Sequence, residues 1–452
     1  MNRIKMPGGG SRRLLRNFSA NVDMRFDDAV LAEGTASKIS GFDVTDGALT
    51  DGYGVEDCPE YSGKKGQTVW QFTRYDNEAN EYKTCNMYCD VNGYVHYNYG
   101  DGWVILQHVS FSTLPDALTY RLYGDDSLIM TSPTDKMFVW DGVSSAQRII
   151  DCPFISSMTM HYERMFATTP GESNAVYYSD DLDPTNWNAS SMTEGGYVQL
   201  LDERGKLLKV VDFLDYVYVF REYGISRMTA YADQMDFRVA NLYVSGGRIY
   251  PGSVCVCGDT VMLLASDGLY SFDGYNVTKR LKTVKFLPSP HSTAVYADGK
   301  YYLSACIENE GENDTLVVYD LGAGTFTLSP LSIKKLCKAG ENVYAIMNDN
   351  RIGKVTKCGS VFGQPYEKVW ESGETDMQSG EVKTISLITA RSDGNATLTL
   401  TADGKRRTFE LTPGGGITRI KPTVSGKVFR FRLSSSETDA NISRLGYTVR
   451  GG

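Results

Sequence analysis

The sequence predicts an all-β protein, a β-propeller of about six or seven blades with a small C-terminal β-sandwich. Three observations point there. Asp-Gly pairs recur along the chain, short β-branched and aromatic runs lie between them, and helical periodicity is nearly absent. The pairs are Asp46-Gly47, Asp51-Gly52, Asp101-Gly102, Asp141-Gly142, Asp267-Gly268, Asp273-Gly274, Asp298-Gly299, Asp393-Gly394 and Asp403-Gly404, joined by Asn92-Gly93. Such dipeptides tolerate positive φ at both central positions, which two-residue hairpins require. Runs such as Val261–Ala265, Leu269–Phe272, Tyr301–Ser304 and Leu316–Tyr319 are the strands between turns.

A weak internal repeat organises these strands. Its unit is a strand, a tight turn, a strand ending in an aromatic, and a second turn. Met130–Gly142 and Leu263–Gly274 are its clearest copies, with looser ones at Met165–Ser179, Tyr216–Thr229, Tyr301–Asp320 and Val343–Val355. A single four-stranded blade cannot bury both faces, so repeated blades stack in a ring. The segment 66–370 is long enough for six or seven blades at about 40–45 residues each. Residues 1–65 read as an N-terminal arm and lead-in strands. The polar stretch 371–380 reads as a linker and 381–452 as the sandwich. There Val428–Leu433 alternates apolar and basic residues, so one face enters a core while Arg430 and Arg432 face outward.

Charge is unevenly spread over the 452 residues. The net charge is −9, but residues 1–25 carry +5 and residues 383–452 carry +7, which leaves −21 for the middle. A basic head and tail on an acidic body suit assembly contacts or an acidic partner. The candidate contact residues are Arg3, Lys5, Arg12, Arg13 and Arg16 in the head and Arg430 and Arg432 in the tail, all able to meet DNA phosphates or a neighbouring subunit. An acidic propeller facing a lumen would repel DNA. No stretch approaches the roughly 18 apolar residues of a membrane helix, and the basic N-terminus lacks the apolar region of a secretory signal.

Signals for catalysis are weak. The nine cysteines are odd in number and irregularly spaced, as expected of small buried hydrophobes in a reducing cytosol. Cys255-Val-Cys257 and Cys85–Cys89 lack the further ligands a zinc site needs. Ser179–Trp187 reads as a turn in which aspartates cap backbone amides and Trp187 packs on a blade. Asp180, Asp181 and Asp183 form an oxygen-rich loop of the kind calcium uses. No nucleophile elbow, P-loop or His-Glu-x-x-His motif is present. The expectation is a non-enzymatic chain with no catalytic residue, cofactor or metal. The competing reading is a carbohydrate-binding or carbohydrate-active propeller. There the 29 Tyr and five Trp (Trp70, Trp103, Trp140, Trp187, Trp370) would stack on sugar rings rather than fill space between blades.

Five segments, in order, carry a family resemblance. They are Asn17–Leu49, Ala175–Trp187, Val217–Thr229, Tyr250–Gly274 and Gly426–Leu433. Together they resemble the β-propeller tail proteins of short-tailed phages, the family of the packaged-DNA stabilisation protein and the tail nozzle. Tyr250–Gly274 is the nearest match, whereas Ser40-Gly41 stands where the family commonly has Asn. The resemblance implies a structural protein of the virion tail, made in the host cytoplasm. It implies a ring, usually of six copies, below the portal and adaptor, which extends the DNA channel. Such a ring stabilises packaged DNA through non-specific contact and gives docking surfaces to tail fibres or spikes.

Overall fold

The computed structural model describes residues 4–5, 10–15, 18, 22–25, 31, 35–122, 125–171, 174–190, 192–231, 233–377, 380–414 and 416–451. Among them there is no α-helix. The helical pieces among the described residues are three-residue 3-10 turns at Pro59–Tyr61, Gln234–Asp236 and Pro251–Ser253. The protein is all-β, and its main body is a propeller-like succession of antiparallel sheets.

Six four-stranded sheets follow one another along the chain. The first runs Gly66–Asp76, Glu81–Asp90, Tyr94–Asn98 and Val104–Ser110. The second runs Asp116–Leu122, Asp125–Thr131, Met137–Trp140 and Gln147–Ile149. The third uses Ser157–His161, Arg164–Thr168, Ala175–Tyr178 and Gly196–Gln199. The fourth uses Leu207–Phe213, Tyr216–Arg221, Gly224–Thr229 and Arg238–Val244. The fifth has Cys255–Cys257, Thr260–Ala265, Gly268–Phe272 and Val277–Arg280, and the sixth Thr293–Ala297, Lys300–Ala305, Thr315–Asp320 and Phe326–Ser329. A seventh sheet starts likewise with Ile333–Ala339, Asn342–Met347 and Ile352–Thr356. Its fourth strand comes from the other end of the chain: Gly54–Asp57 pairs antiparallel with Ile352–Thr356, with Val55 opposite Val355.

Each sheet shares a buried cluster with the next. Phe72 and Met87 meet Met130 and Trp140 between the first two sheets, and Ile129 and Val139 meet Met165 beyond. The series continues through Phe166 with Val217, Val211 with Leu263, Leu264 with Tyr301, and Leu316 with Ala345. It closes where Val69 and Tyr88 of the first sheet pack on Cys337 and Tyr344 of the seventh. Middle strands are therefore covered on both faces. That is why Val261–Ala265 is apolar and buried at every position, with no alternation. The last strands face outward and are polar or exposed, as in Arg238–Val244 and Val277–Arg280.

Two further sheets form a second unit. One contains Ala36–Ser40, Lys368–Ser372, Phe429–Ser435, Ala396–Ala402 and Lys405–Leu411. The other is built on Gly10–Leu15, Ile442–Gly451, Lys383–Ser392 and Ile417–Ile420, with Ile4–Lys5, Phe42–Thr45, Ala48–Asp51 and Val424–Gly426 alongside. Leu398, Leu400 and Leu433 of the first sheet share a core with Ile385, Ile388 and Leu445 of the second. Phe431 stacks on Tyr447 with ring centroids 4.8 Å apart. This core is continuous with the cluster between the fifth and sixth sheets.

The first 65 residues thus supply strands to three sheets. Gly10–Leu15, whose sequence reads as a free arm, pairs along its whole length with the C-terminal strand Ile442–Gly451. Lys368–Ser372, at the boundary expected between ring and linker, is already a strand of the second unit, between Ala36–Ser40 and Phe429–Ser435.

Five of the Asp-Gly pairs fall into two kinds of turn. Asp46-Gly47, Asp298-Gly299 and Asp403-Gly404 have positive φ at both residues, the hairpin geometry expected from sequence. At Asp141-Gly142 and Asp273-Gly274 only the glycine has positive φ. There the carboxylate caps backbone amides instead: Asp273 Oδ1 accepts from the amides of Tyr275 and Asn276 at 2.9 and 2.7 Å. Asp403 combines both devices, its Oδ1 accepting from the amides of Lys427 and Val428 at 3.0 Å each.

Two predictions follow from these contacts. A Cβ on Gly353 would meet Val55, the Phe362 ring and the Glu56 carbonyl oxygen, the last at 2.8 Å. Gly353→Val should therefore lever the closing strand away and cost about 1–3 kcal/mol in urea unfolding, with Val55→Ala recovering part of it. The second concerns pH. Backbone amide hydrogen bonds, from Asn276 and Tyr275 at Asp273 and from Val428 and Lys427 at Asp403, hold both carboxyls below their ordinary range. A depressed carboxyl contributes stability that is full above the unfolded value, about 4. That contribution is lost as pH falls through the folded value. Asn keeps the accepting oxygen without the charge. Asp273→Asn/Asp403→Asn should lose stability less steeply below about pH 4 than the parent, read from urea midpoints at successive pH values.

Candidate functional site

The structure separates the residues singled out from charge. Arg3 and Arg16 lie outside the described residues. Lys5 lies on Ile4–Lys5, and Arg12 and Arg13 on Gly10–Leu15, opposite Thr448 and Tyr447. Arg430 and Arg432 lie in the other sheet of the same unit. Their strand alternates as expected: Phe429, Phe431 and Leu433 are buried and the arginines occupy the opposite face. There Arg430 donates to Glu371 at 2.9 Å and to Glu374 at 3.1 Å. Arg432 donates to Glu367 at 2.8 Å and lies 3.6 Å from the second oxygen of Glu371. Arg430, Arg432, Glu371 and Glu374 line an open groove of about 400 Å³ with Thr399, Thr401, Arg406 and Thr408. The guanidiniums are thus engaged by carboxylates of their own sheet, at partly exposed positions where each pair contributes little.

Beneath this face lies a buried charge. Lys368 is fully buried; its Nζ donates to the Asp51 carboxylate and to the Glu437 carbonyl oxygen, and lies 5.9 Å from the Phe42 ring centroid. Asp51 also accepts from the Asp439 amide at 2.7 Å. One ion pair thereby joins Ala48–Asp51, Lys368–Ser372 and the 436–439 loop. Lys368→Ala leaves a carboxylate with only its amide partner and should lower unfolding free energy by about 3–5 kcal/mol. Lys368→Met/Asp51→Asn should recover part of that loss in the same denaturant titration.

The cysteines are free thiols, and seven of the nine are buried. Burial pushes Cys58 and Cys85 up to about 11 and Cys89 up to about 12, so these are packing thiols rather than nucleophiles. Ser179–Trp187 forms the turn read from sequence. Asp180 Oδ1 accepts from the amides of Asp181 and Glu194 at 3.0 and 2.7 Å, Asp183 caps Thr185, and Trp187 is buried. Among the described residues no group of three or more His, Cys, Asp or Glu side chains is placed to hold a metal ion. Trp140 and Trp370 are likewise buried, Trp70 packs on the cluster between the first two sheets, and Trp103 lies against Tyr61 and Tyr88. These rings fill interior space. No described helix is long and apolar enough to cross a membrane.

The acidic expectation does not extend to the first strands of the sheets. The first strands of the seven sheets carry Arg74, Arg121, Lys209, Lys334, Lys335 and Lys338 against Asp76, Asp116 and Asp212. Lys209 donates to the Val254 carbonyl oxygen at 2.8 Å, and burial lowers its ammonium pKa, with Cys255, Asp116 and Lys335 near enough to act on its charge.

One concavity of about 430 Å³ gathers groups that sequence reasoning did not connect. It lies where the turn after Ser157–His161 meets the segment after Gly224–Thr229. His161, Tyr162, Glu163, Arg164, Asp181, Glu194, Tyr231 and Asp233 line it. His161 Nδ1 is 2.7 Å from Asp212 Oδ1, a partner far along the chain on the first strand of the fourth sheet. His161 is one of four histidines scattered along the chain, and no local spacing signals its partner.

No protein-family model matches the chain, and no curated protein matches it. Solved structures similar to it include the complex of BBS1N with ARL6DN, at 10% identity and TM-score 0.43 over 67% of this chain and 96% of that one. Virginiamycin B lyase from Staphylococcus aureus is 9% identical, with TM-score 0.43 over 64% of this chain and 98% of that one. BamB from Moraxella catarrhalis is 10% identical, with TM-score 0.39 over 60% of this chain and 78% of that one. Likeness at this level is silent on function, and sheet pairing alone defines the fold.

Proposed function

We propose that this chain is a structural protein of a phage tail. In this reading the seven successive sheets are the blades of a seven-bladed β-propeller. The two remaining sheets are a β-sandwich into which both chain ends are built. Several copies, six by the family resemblance, form a ring that extends the DNA channel below portal and adaptor proteins. That ring stabilises packaged DNA and carries docking surfaces for fibres or spikes. The protein acts mechanically, without a catalytic residue or cofactor.

The observation that carries the reading is the ordered resemblance of five segments, with Tyr250–Gly274 foremost. In the fold this segment is the 3-10 turn Pro251–Ser253 and the first three strands of the fifth sheet, most of it buried packing. The interleaving of the chain ends adds support. Residues 36–57 pair into both units, so the ring and the second unit are tied at two points rather than by one flexible linker. A part that transmits mechanical load benefits from such a junction.

Mass photometry and negative-stain microscopy of the purified protein with a portal–adaptor complex test the proposal. A ring of about six copies on the adaptor is the expected result, and a chain that stays monomeric and unbound counts against it. Removing residues 1–9, which leaves Gly10–Leu15 in its sheet, should weaken ring assembly without lowering the unfolding midpoint. Saturable binding on a glycan array, with no ring, would favour the carbohydrate-binding alternative.

A further inference from the structure

We propose that the concavity between the third and fourth sheets is a binding site for a donor-rich organic cation, a primary ammonium or a guanidinium. This inference is independent of the tail-ring reading. It rests on the sign and hydrogen-bonding character of the lining. The lining acids are Glu163, Asp181, Glu194 and Asp233, and the one lining base, Arg164, is already paired with Glu194. Glu163 and Asp181 are exposed, and their carboxylates have no side-chain partner among the described residues. Asp212 and Asp215 add negative charge at Tyr162 from the neighbouring sheet. Electrostatics therefore favour a cation.

His161 supplies the second, independent observation. It is 2% exposed and lines the concavity, Nδ1 faces Asp212, and Nε2 is buried with no partner. A buried polar atom without a partner is destabilising. With Nδ1–H donating to the carboxylate, Nε2 is an acceptor that no described group of the chain satisfies. An ammonium or guanidinium has donors to spare.

The aromatic groups fit the same ligand. Tyr162 is 50% exposed and Tyr231 64% exposed, with ring centroids 5.5 Å apart at an interplanar angle of 68°. Tyr162 has φ +49° and lies against His161, with centroids 4.4 Å apart. Two exposed tyrosine faces beside carboxylates form an environment that attracts organic cations through the ring quadrupole. A simple metal ion would leave both faces unused.

Isothermal titration calorimetry of the full chain tests the site with two probes at matched ionic strength. These are spermidine, a free polyamine, and a short Arg/Lys peptide, with fully acetylated spermidine as the uncharged control. The expected result is saturable 1:1 binding of at least one probe and none of the control. Binding of spermidine alone identifies a small-molecule ligand, and binding of the peptide alone identifies basic side chains of another polypeptide. Tyr231→Ala should weaken binding about 3- to 30-fold, and Glu163→Gln/Asp181→Asn should remove it. Both substitutions are at exposed positions, and unchanged thermal unfolding shows that each variant is folded. The proposal is overturned if neither probe binds saturably, or if binding survives both variants unchanged.

Discussion

The ring depends on one antiparallel pairing, between Gly54–Asp57 and Ile352–Thr356. It joins strands roughly 300 residues apart along the chain. The entropic cost of such a closure grows only logarithmically with loop length, so the distance itself is affordable. What the pairing secures is larger than its own hydrogen bonds. It supplies the fourth strand of the seventh sheet, whose face carries Leu336, Val343 and Ala345 against the sixth sheet, with Val55 in the same cluster. Without the fourth strand that cluster loses a wall, and the contact of the seventh sheet with the first is left on a frayed edge. The non-local character of the contact also places ring closure late in folding, after the local hairpins exist.

The same lead-in segment connects the two units. Ala36–Ser40 pairs with Lys368–Ser372, Ala48–Asp51 brings Asp51 to the buried Lys368, and Gly54–Asp57 then enters the seventh sheet. A few residues therefore bridge two cores, one of which runs uninterrupted from the second unit into the fifth and sixth sheets. Burying Lys368 is costly unless its partners are held, and they are held by strands of both chain ends. The ion pair adds specificity of register to a junction whose stability comes mainly from apolar burial.

Much of the fold was legible because its signals are local. Asp-Gly chemistry marked turns, and short apolar runs such as Val261–Ala265 marked the strands between them. The outward-facing Arg430 and Arg432 were legible from period-two alternation. The candidate concavity was not. His161 and Asp212 belong to adjacent sheets, and Tyr162 and Tyr231 meet only because the turns of those sheets emerge together. A spacing rule cannot detect a contact created by stacking two sheets. Nor could it show that the arginines are met by Glu367, Glu371 and Glu374, since those carboxylates come from a strand distant in sequence.

By itself, then, the sequence determined the all-β character, the hairpin repeat and the faces of individual strands, because turn chemistry and side-chain alternation act over a few residues. Tertiary structure decided which strand closes the last sheet. It turned the apparent arm Gly10–Leu15 into a partner of the C-terminal strand. These outcomes depend on pairing between distant segments. A strand's pattern specifies which face it must bury, but the neighbour that buries it is chosen by the geometry of the whole ring.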